Sequence, residues 1–412
     1  MLLRPALCAA LVLAAPAAAA DAPAAPAAPD DGLTLRTELP LKTPRTRDPV
    51  LGGARDKVWF QVWIPPGVKT VRGGVCNPFS KAGPPSAHWK AACRLWGFAY
   101  VSTDFDGAKS DKHPLLFRAL AELARSGNRP ELEHLPMCFI GMSRGGGMSM
   151  RFGELAPERT IAVAPVCLEV GPSSEASRNI PVVTIFGEKD GKQMPQLLAK
   201  LPEQRKAGAR WAIAVQWGRR HEFALANNLA MVVFDDAIRR RVPAEPTEPG
   251  KPVALREIPL AEGWVGDHAA WGKGRPAITA AADYTGDPAA VCWLPARRSA
   301  AVWQAFVAPS KQVRIAEPPG LGDKQPFVPQ PAGKPVAVRL DLDASLKPTA
   351  VELWDADTLI ARRTEGPWEF AADLKPGLHS LIACVHEADG TVRLSRPHTL
   401  FVVGPAAEKP AP

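Results

Sequence analysis

The sequence predicts an α/β protein: a mostly parallel sheet with helices on both faces, followed by a small all-β sandwich. Three observations carry this. Between residues 49 and 242, short apolar runs alternate with helical segments, the rhythm of strand–helix–strand units. Several of those runs are apolar without alternation, as strands buried on both faces of a parallel sheet must be. From residue 334 to 405 the pattern changes to about seven short strand-type runs, which suggests a sandwich.

The first twenty residues are expected to be a signal peptide. Arg4 supplies the positive start, residues 6–15 (ALCAALVLAA) the apolar stretch, and Ala18-Ala19-Ala20 the small residues of a cleavage site before Asp21. Cys8 lies too early in the segment to serve as a lipid-anchored cysteine. A secreted or periplasmic location follows as the expectation. No later run reaches about 18 apolar residues, so stable membrane insertion is not expected. Residues 21–48 are expected to be a linker, with APAAPAAP at 22–29 an extended Pro/Ala spacer.

In the first domain, expected over 49–242, Lys57–Ile64 alternates and stops at Pro65-Pro66. Val71–Cys76 is a second strand run, and His88–Trp96 is helical in character. Gly97–Thr103 is rich in β-formers, and Leu115–Arg125 is again helical. Met137–Gly141, Ile161–Val166 and Pro181–Phe186 are short continuous apolar runs, and Trp211–Trp217 is another. Glu222–Arg241 closes the unit as a helix, with Phe223, Ala226, Ala230, Phe234 and Ala237 at helical spacing and three arginines in the last turn. Pro243, Pro246 and Pro249 stop it.

Residues 243–333 form a proline-rich accessory segment of poor periodicity with short strands. Proline is about 11% of the chain, 44 in 412 residues, and most of the excess in this half falls here. In residues 334–405 the strand runs are Val336–Leu342, Ala350–Trp354, Leu359–Arg363, Trp368–Ala371, His379–His386, Thr391–Leu394 and Thr399–Val403, with Asp389-Gly390 a hairpin turn. This pattern resembles the immunoglobulin-like modules appended to many secreted bacterial proteins. Residues 406–412 are a tail.

Composition narrows the function. Lys and Arg number 50 against 42 Asp and Glu, and the excess is spread without a basic run, so no nucleic-acid footprint is present. After cleavage six cysteines remain (Cys76, Cys93, Cys138, Cys167, Cys292 and Cys384). An even count in an exported chain permits disulfides, and buried free thiols fit equally well. Their spacing matches no zinc motif. No complete phosphate loop or dinucleotide fingerprint occurs, so neither metal nor cofactor is expected.

One constellation carries chemistry. Gly141-Met142-Ser143-Arg144-Gly145 reads G-x-S-x-G, follows the strand run Met137–Ile140 and precedes a helix-compatible stretch. That is the setting of a nucleophile elbow, in which a tight strand-to-helix turn presents a serine and its flanking glycines keep the turn clear. The helix N-terminus and the Arg144 amide are placed to donate to an oxyanion. Asp190 comes 47 residues after Ser143, behind the run Pro181–Phe186, and His221 follows 31 residues later, behind Trp211–Trp217.

Serine, acid and histidine in this order, each after its own strand, resemble the α/β-hydrolase superfamily over roughly residues 50–242. The likeness is nearest to secreted esterases and to polyester or plant-wall depolymerases. It implies that Ser143 attacks an ester carbonyl, that His221 takes and returns the proton, and that Asp190 orients the imidazole. Glu188 is the rival acid, and the G-x-x-D spacing favours Asp190. The second oxyanion donor is expected from the backbone of the loop at Val75-Cys76-Asn77-Pro78-Phe79. Pro78 has no amide hydrogen, which leaves Phe79, preferred, or Asn77.

Asp104 and Asp106 are weaker candidates for substrate contact, and Arg144 and Lys192 for an acidic substrate. Tryptophans such as Trp89, Trp264, Trp271, Trp293 and Trp303 are candidate stacking platforms or core. The implied partner is an ester substrate, polymeric if the accessory module serves it. A serine peptidase of the same fold and a non-catalytic polymer-binding protein are the alternatives. Oligomeric state stays open.

Overall fold

The computed structural model describes residues 32–404 apart from 46–54, 79, 81–82, 104–113, 192, 246–247, 273 and 323–325. The expected signal segment, the 22–29 spacer and the 406–412 tail lie outside these residues, as do Phe79, Asp104, Asp106 and Lys192.

Eight strands build one sheet: β1 (Leu33–Arg45), β2 (Arg55–Ile64), β3 (Gly73–Pro78), β4 (Phe98–Thr103), β5 (Met137–Met142), β6 (Thr160–Val166), β7 (Val182–Gly187) and β8 (Trp211–Gln216). They lie in the order 1-2-4-3-5-6-7-8. β3 to β8 run parallel to one another, whereas β1 and β2 form an antiparallel edge. Every residue of β4, β6, β7 and β8 is buried. Successive side chains point to opposite faces, so both faces are covered. The α/β class, the parallel sheet and the trailing all-β sheets are as the sequence predicts.

Helices α1 (Ala87–Trp96), α2 (Pro114–Ser126), α3 (Arg144–Leu155), α4 (Glu175–Arg178), α5 (Gln193–Lys206) and α6 (Ala226–Arg241) fill the connections. In α1 the buried side chains Trp89, Ala92, Cys93 and Trp96 recur at helical spacing, and Gly97 ends the helix at φ 66°. α6 starts four residues later than the sequence suggests, which leaves Phe223 in the preceding loop.

Two segments depart from the sequence expectation. Residues 33–45, read as linker, form β1 on the edge of the main sheet. The proline-rich segment also contributes core. It holds β9 (Trp264–Asp267), β10 (Ile278–Ala280) and β11 (Val291–Leu294), paired antiparallel, and helix α7 (Arg297–Val307). Trp303 Nε1 donates to the Ile213 carbonyl at 2.8 Å, and Arg205 Nε to the Val291 carbonyl at 2.9 Å. Both bonds tie this segment to the β8 side of the sheet.

The C-terminal strands are β12 (Val313–Glu317), β13 (Gln330–Pro331), β14 (Val336–Leu342), β15 (Pro348–Asp355), β16 (Thr358–Arg363), β17 (Glu369–Ala372), β18 (Gly377–Glu387), β19 (Val392–Leu394) and β20 (His398–Val403). They form a sheet of order 12-14-17 and a larger one of order 13-20-18-15-16, with β19 on β18. A second hydrophobic core, including Val338, Val351, Leu353, Phe370, Leu381 and Leu400, is built from both sheets. The sandwich begins upstream of residue 334, because β12 pairs with β14.

A buried polar network fixes this module to the helices. Arg298 Nη1 donates to Asp235 Oδ2 at 2.6 Å and to Asp236 Oδ1 at 3.1 Å, and its Nη2 reaches the Leu378 carbonyl on β18 at 2.7 Å. Trp96 Nε1 completes Asp235 at 2.8 Å. Asn228 of α6 donates to the Leu321 carbonyl at 3.0 Å and accepts from the Thr399 amide at 3.2 Å. Such pairing is what a buried charge requires.

All six cysteines are free and buried, so the thiol alternative, not the disulfide one, describes them. Trp89, Trp271, Trp293 and Trp303 are also buried. Trp264 is half-buried, with the Arg297 guanidinium 5.7 Å from its ring centroid. The four buried tryptophans are core, and Trp264 packs partly exposed against it.

Candidate active site

The site lies where parallel strands end at their carboxyl edge, the usual place for ligands in open α/β sheets. Ser143 sits between β5 and α3 at φ 54° and ψ −121°. Positive φ at a non-glycine residue costs about 1–3 kcal/mol and persists only where the surroundings enforce it. Here the Ser143 amide donates to the Val166 carbonyl at 2.7 Å, and the Ser143 carbonyl accepts from Gly147 at 3.1 Å. The turn closes so tightly that a Cβ on Gly141 would lie 2.5 Å from the Gly145 carbonyl oxygen. That contact explains why the motif needs its glycines. Ser143 itself is half-buried.

Asp190 and His221 meet. His221 Nδ1 lies 2.9 Å and 3.0 Å from the two carboxylate oxygens of Asp190. The Asp190 side chain is 11% exposed and that of His221 45%. A shielded acid under an open imidazole leaves Nε2 facing away from the acid, as a general base needs. Among the described residues no hydrogen bond joins Ser143 Oγ to the ring, a contact that in hydrolases commonly tightens in the Michaelis complex.

Backbone zipping brings the two loops together. Glu188 N donates to the Gln216 carbonyl at 3.0 Å, and Lys189 N to the Arg219 carbonyl at 2.8 Å. A Cβ on Gly187 would stand 2.3 Å from the Arg220 carbonyl oxygen, so only glycine lets the end of β7 and the histidine loop approach this closely. The rival acid Glu188 is occupied differently: its Oε2 accepts the Gly218 amide at 2.7 Å.

Of the oxyanion candidates, Arg144 is the first residue of α3, where amides lack intrahelical partners. Its side chain is exposed. Asn77 lies in β3, beside β4, and Phe79 is outside the described residues.

Sequence reasoning missed Cys167. It follows β6 at φ 53°, fully buried. Its Sγ donates to the Glu222 carbonyl at 3.3 Å, one residue past His221, while Gln193 Nε2 holds its own carbonyl at 3.1 Å. Burial, and next the Asp190 carboxylate, push the thiol up to about 12, so it is protonated. In sequence it is one cysteine among six; only its place after a strand, like that of Ser143, hints at the site.

Beside the acid and histidine loops runs a groove between the sheet edge and the C-terminal module. One crevice of about 510 Å³ is lined by Gln216, Trp217, Leu225, Phe306, Pro309 and Pro397. A wider one of about 1130 Å³ shares Trp217 and Pro309 and reaches Glu188 and Lys311.

No protein-family model matches the chain, and no curated protein matches its sequence. Among solved structures it is similar to a serine hydrolase without a lid from Xanthomonas campestris, 20% identical, covering 54% of this chain and 100% of that one at a TM-score of 0.31. It is also similar to a feruloyl esterase module from Clostridium thermocellum, 12% identical over 50% of this chain and 87% of that one, TM-score 0.31. A fibronectin type III-like module structure from Clostridium thermocellum is 22% identical, covering 23% of this chain and 99% of that one at a TM-score of 0.21.

Proposed function

We propose that the protein is an exported serine hydrolase that cleaves carboxylic esters through a Ser143–His221–Asp190 relay, acting on plant-wall esters or polyester-type substrates. The observation that carries this is the Asp190–His221 hydrogen bond at 2.9 Å, formed between two loops that follow neighbouring strands. Ser143 on its strained elbow is the third contributor.

The mechanism follows from the geometry. Asp190 keeps the proton of His221 on Nδ1, so Nε2 is the basic nitrogen. His221 removes the Ser143 proton as Oγ adds to the ester carbonyl. The Arg144 amide at the head of α3 stabilises the oxyanion. Protonated Nε2 then releases the alcohol, and water enters by the reverse sequence to free the acid. A groove that borders Glu188 and Gly218 of the acid and histidine loops and runs along Thr391–Leu394 of the C-terminal module offers room for an extended substrate.

Short p-nitrophenyl esters test the proposal, with Ser143→Ala as control and peptide p-nitroanilides as the competing substrate. Loss of ester turnover in the variant by several decades supports it. Equal turnover by wild type and variant, or preference for the anilides, rejects it. A fluorophosphonate adduct mapped to Ser143 by mass spectrometry gives an independent readout.

A further inference from the structure

Three donors of different kinds converge behind the histidine. Cys167 Sγ, one carboxylate oxygen of Asp190 and one ring nitrogen of His221 all lie within 4.8 Å of one another. Sulfur, imidazole nitrogen and carboxylate oxygen together form a ligand set suited to zinc and similar borderline divalent cations. In a tetrahedral site, bonds of about 2.0–2.3 Å put donors roughly 3.3–3.8 Å apart. Shifts of at most about 1.5 Å, with the Asp190–His221 pair opening slightly from 2.9 Å, therefore convert the cluster into a chelate. His221 is the open side, 45% exposed at its side chain, which gives an ion its entry. The sequence shows no metal motif because the donors come from the ends of three different strands.

A second cluster, Glu352, Cys384 and His386 on β15 and β18, meets the same distance limit. Its carboxylate is already engaged by Trp354 Nε1 at 3.0 Å, His386 Nε2 at 3.1 Å and Arg362 Nε at 3.8 Å. A guanidinium beside the donor set opposes a cation, so this cluster serves as the internal comparison.

We propose that Cys167, Asp190 and His221 form an inhibitory binding site for a zinc-class divalent cation. The cation silences the enzyme from behind the histidine, without touching Ser143. The Cys167 thiol gives its proton to solvent as sulfur binds the ion. Neutral His221 binds the ion through Nδ1, and the proton formerly there is carried, through solvent, by Nε2. No atom changes oxidation state. Nε2, now bearing hydrogen, has no lone pair for the Ser143 proton, so the first chemical step stops. Only this last consequence rests on the proposed function; the chelate itself does not.

Cobalt(II) titrated into the full chain tests the site, because thiolate ligation gives a near-ultraviolet charge-transfer band that does not depend on activity. The band is expected in wild type and in Cys384→Ser, and absent in Cys167→Ser. His221→Gln, a change at an open position, should remove or weaken it as well, which protects the test if the cysteine variant folds poorly. Zinc should displace cobalt, and should inhibit ester hydrolysis at least ~10-fold less effectively in Cys167→Ser than in wild type. No band at all, a band that survives Cys167→Ser, or one lost in Cys384→Ser overturns the proposal. A band of the expected variant pattern in a protein without esterase activity supports the site and rejects the proposed function. Esterase activity with no band does the reverse.

Discussion

Replacing Asp190 by Asn tests the relay where the geometry is most explicit. The carboxylate receives His221 Nδ1 at 2.9 Å and 3.0 Å. It therefore both selects the Nδ1–H tautomer and faces the cation that forms when Nε2 takes the serine proton. Opposite unit charges about 3 Å apart attract by roughly 5–6 kcal/mol at an effective dielectric of about 20. The histidine side chain is 45% exposed, so solvent removes part of this, and about 4 kcal/mol is a reasonable remainder. At ~1.4 kcal/mol per decade that is about a 10³-fold fall in kcat/KM. Glu188→Gln is the matched control. Its carboxylate accepts only the Gly218 amide among the described residues, a bond the amide oxygen can still accept, and its expected effect is within about threefold. Both variants are assayed on p-nitrophenyl butyrate, with circular dichroism to confirm folding. The reasoning fails if Asp190→Asn stays within tenfold of wild type, or if Glu188→Gln loses more.

Further predictions concern the scaffold. Gly187→Ala places a Cβ 2.3 Å from the Arg220 carbonyl oxygen, so the acid and histidine loops must part. A displacement near 1 Å costs about 10² in turnover, and kcat/KM should fall by that amount while far-ultraviolet circular dichroism stays unchanged. Arg298→Met leaves the buried carboxylate of Asp236 without its guanidinium, while Asp235 keeps Arg239 at 2.9 Å and Trp96 at 2.8 Å. The expected loss lies at the low end of the range for a broken buried pair, about 3 kcal/mol by urea denaturation. Burial lowers His88 to about 4 from its ordinary 6.5. Above 6.5 it is neutral in folded and unfolded chains alike. As pH falls from 6.5 toward 4 the unfolded chain takes up the proton first, and stability drops by on the order of 1–3 kcal/mol. Denaturation curves across this window should show that slope in wild type and a shallower one in His88→Gln.

The sequence alone determined the layered class and its order of elements. A strand buried on both faces must be apolar throughout, so β5, β6 and β7 are visible as short runs in isolation. The strand-to-helix turn at Ser143 is equally local, since glycine is needed within the same few residues. The alternating strands of the C-terminal module were legible for the same reason, within a residue or two at each end. β1 was not, because Pro40 interrupts a segment already rich in proline. Only an edge position, where a missing amide is tolerated, makes it a strand. Helix α7 escaped because it is buried on nearly all sides, from Ser299 to Val307, and so shows no polar stripe.

What the tertiary structure decided was convergence. Spacing favoured Asp190, but only coordinates show that it faces His221 while Glu188 turns to Gly218. The place of Cys167 beside both was invisible in sequence, where it stands 23 residues from the acid and 54 from the histidine. Local chemistry fixes which residues begin and end an element. Which loops then touch depends on sheet order and on backbone contacts such as Gly187 against Arg220, and those are made between residues far apart in the chain.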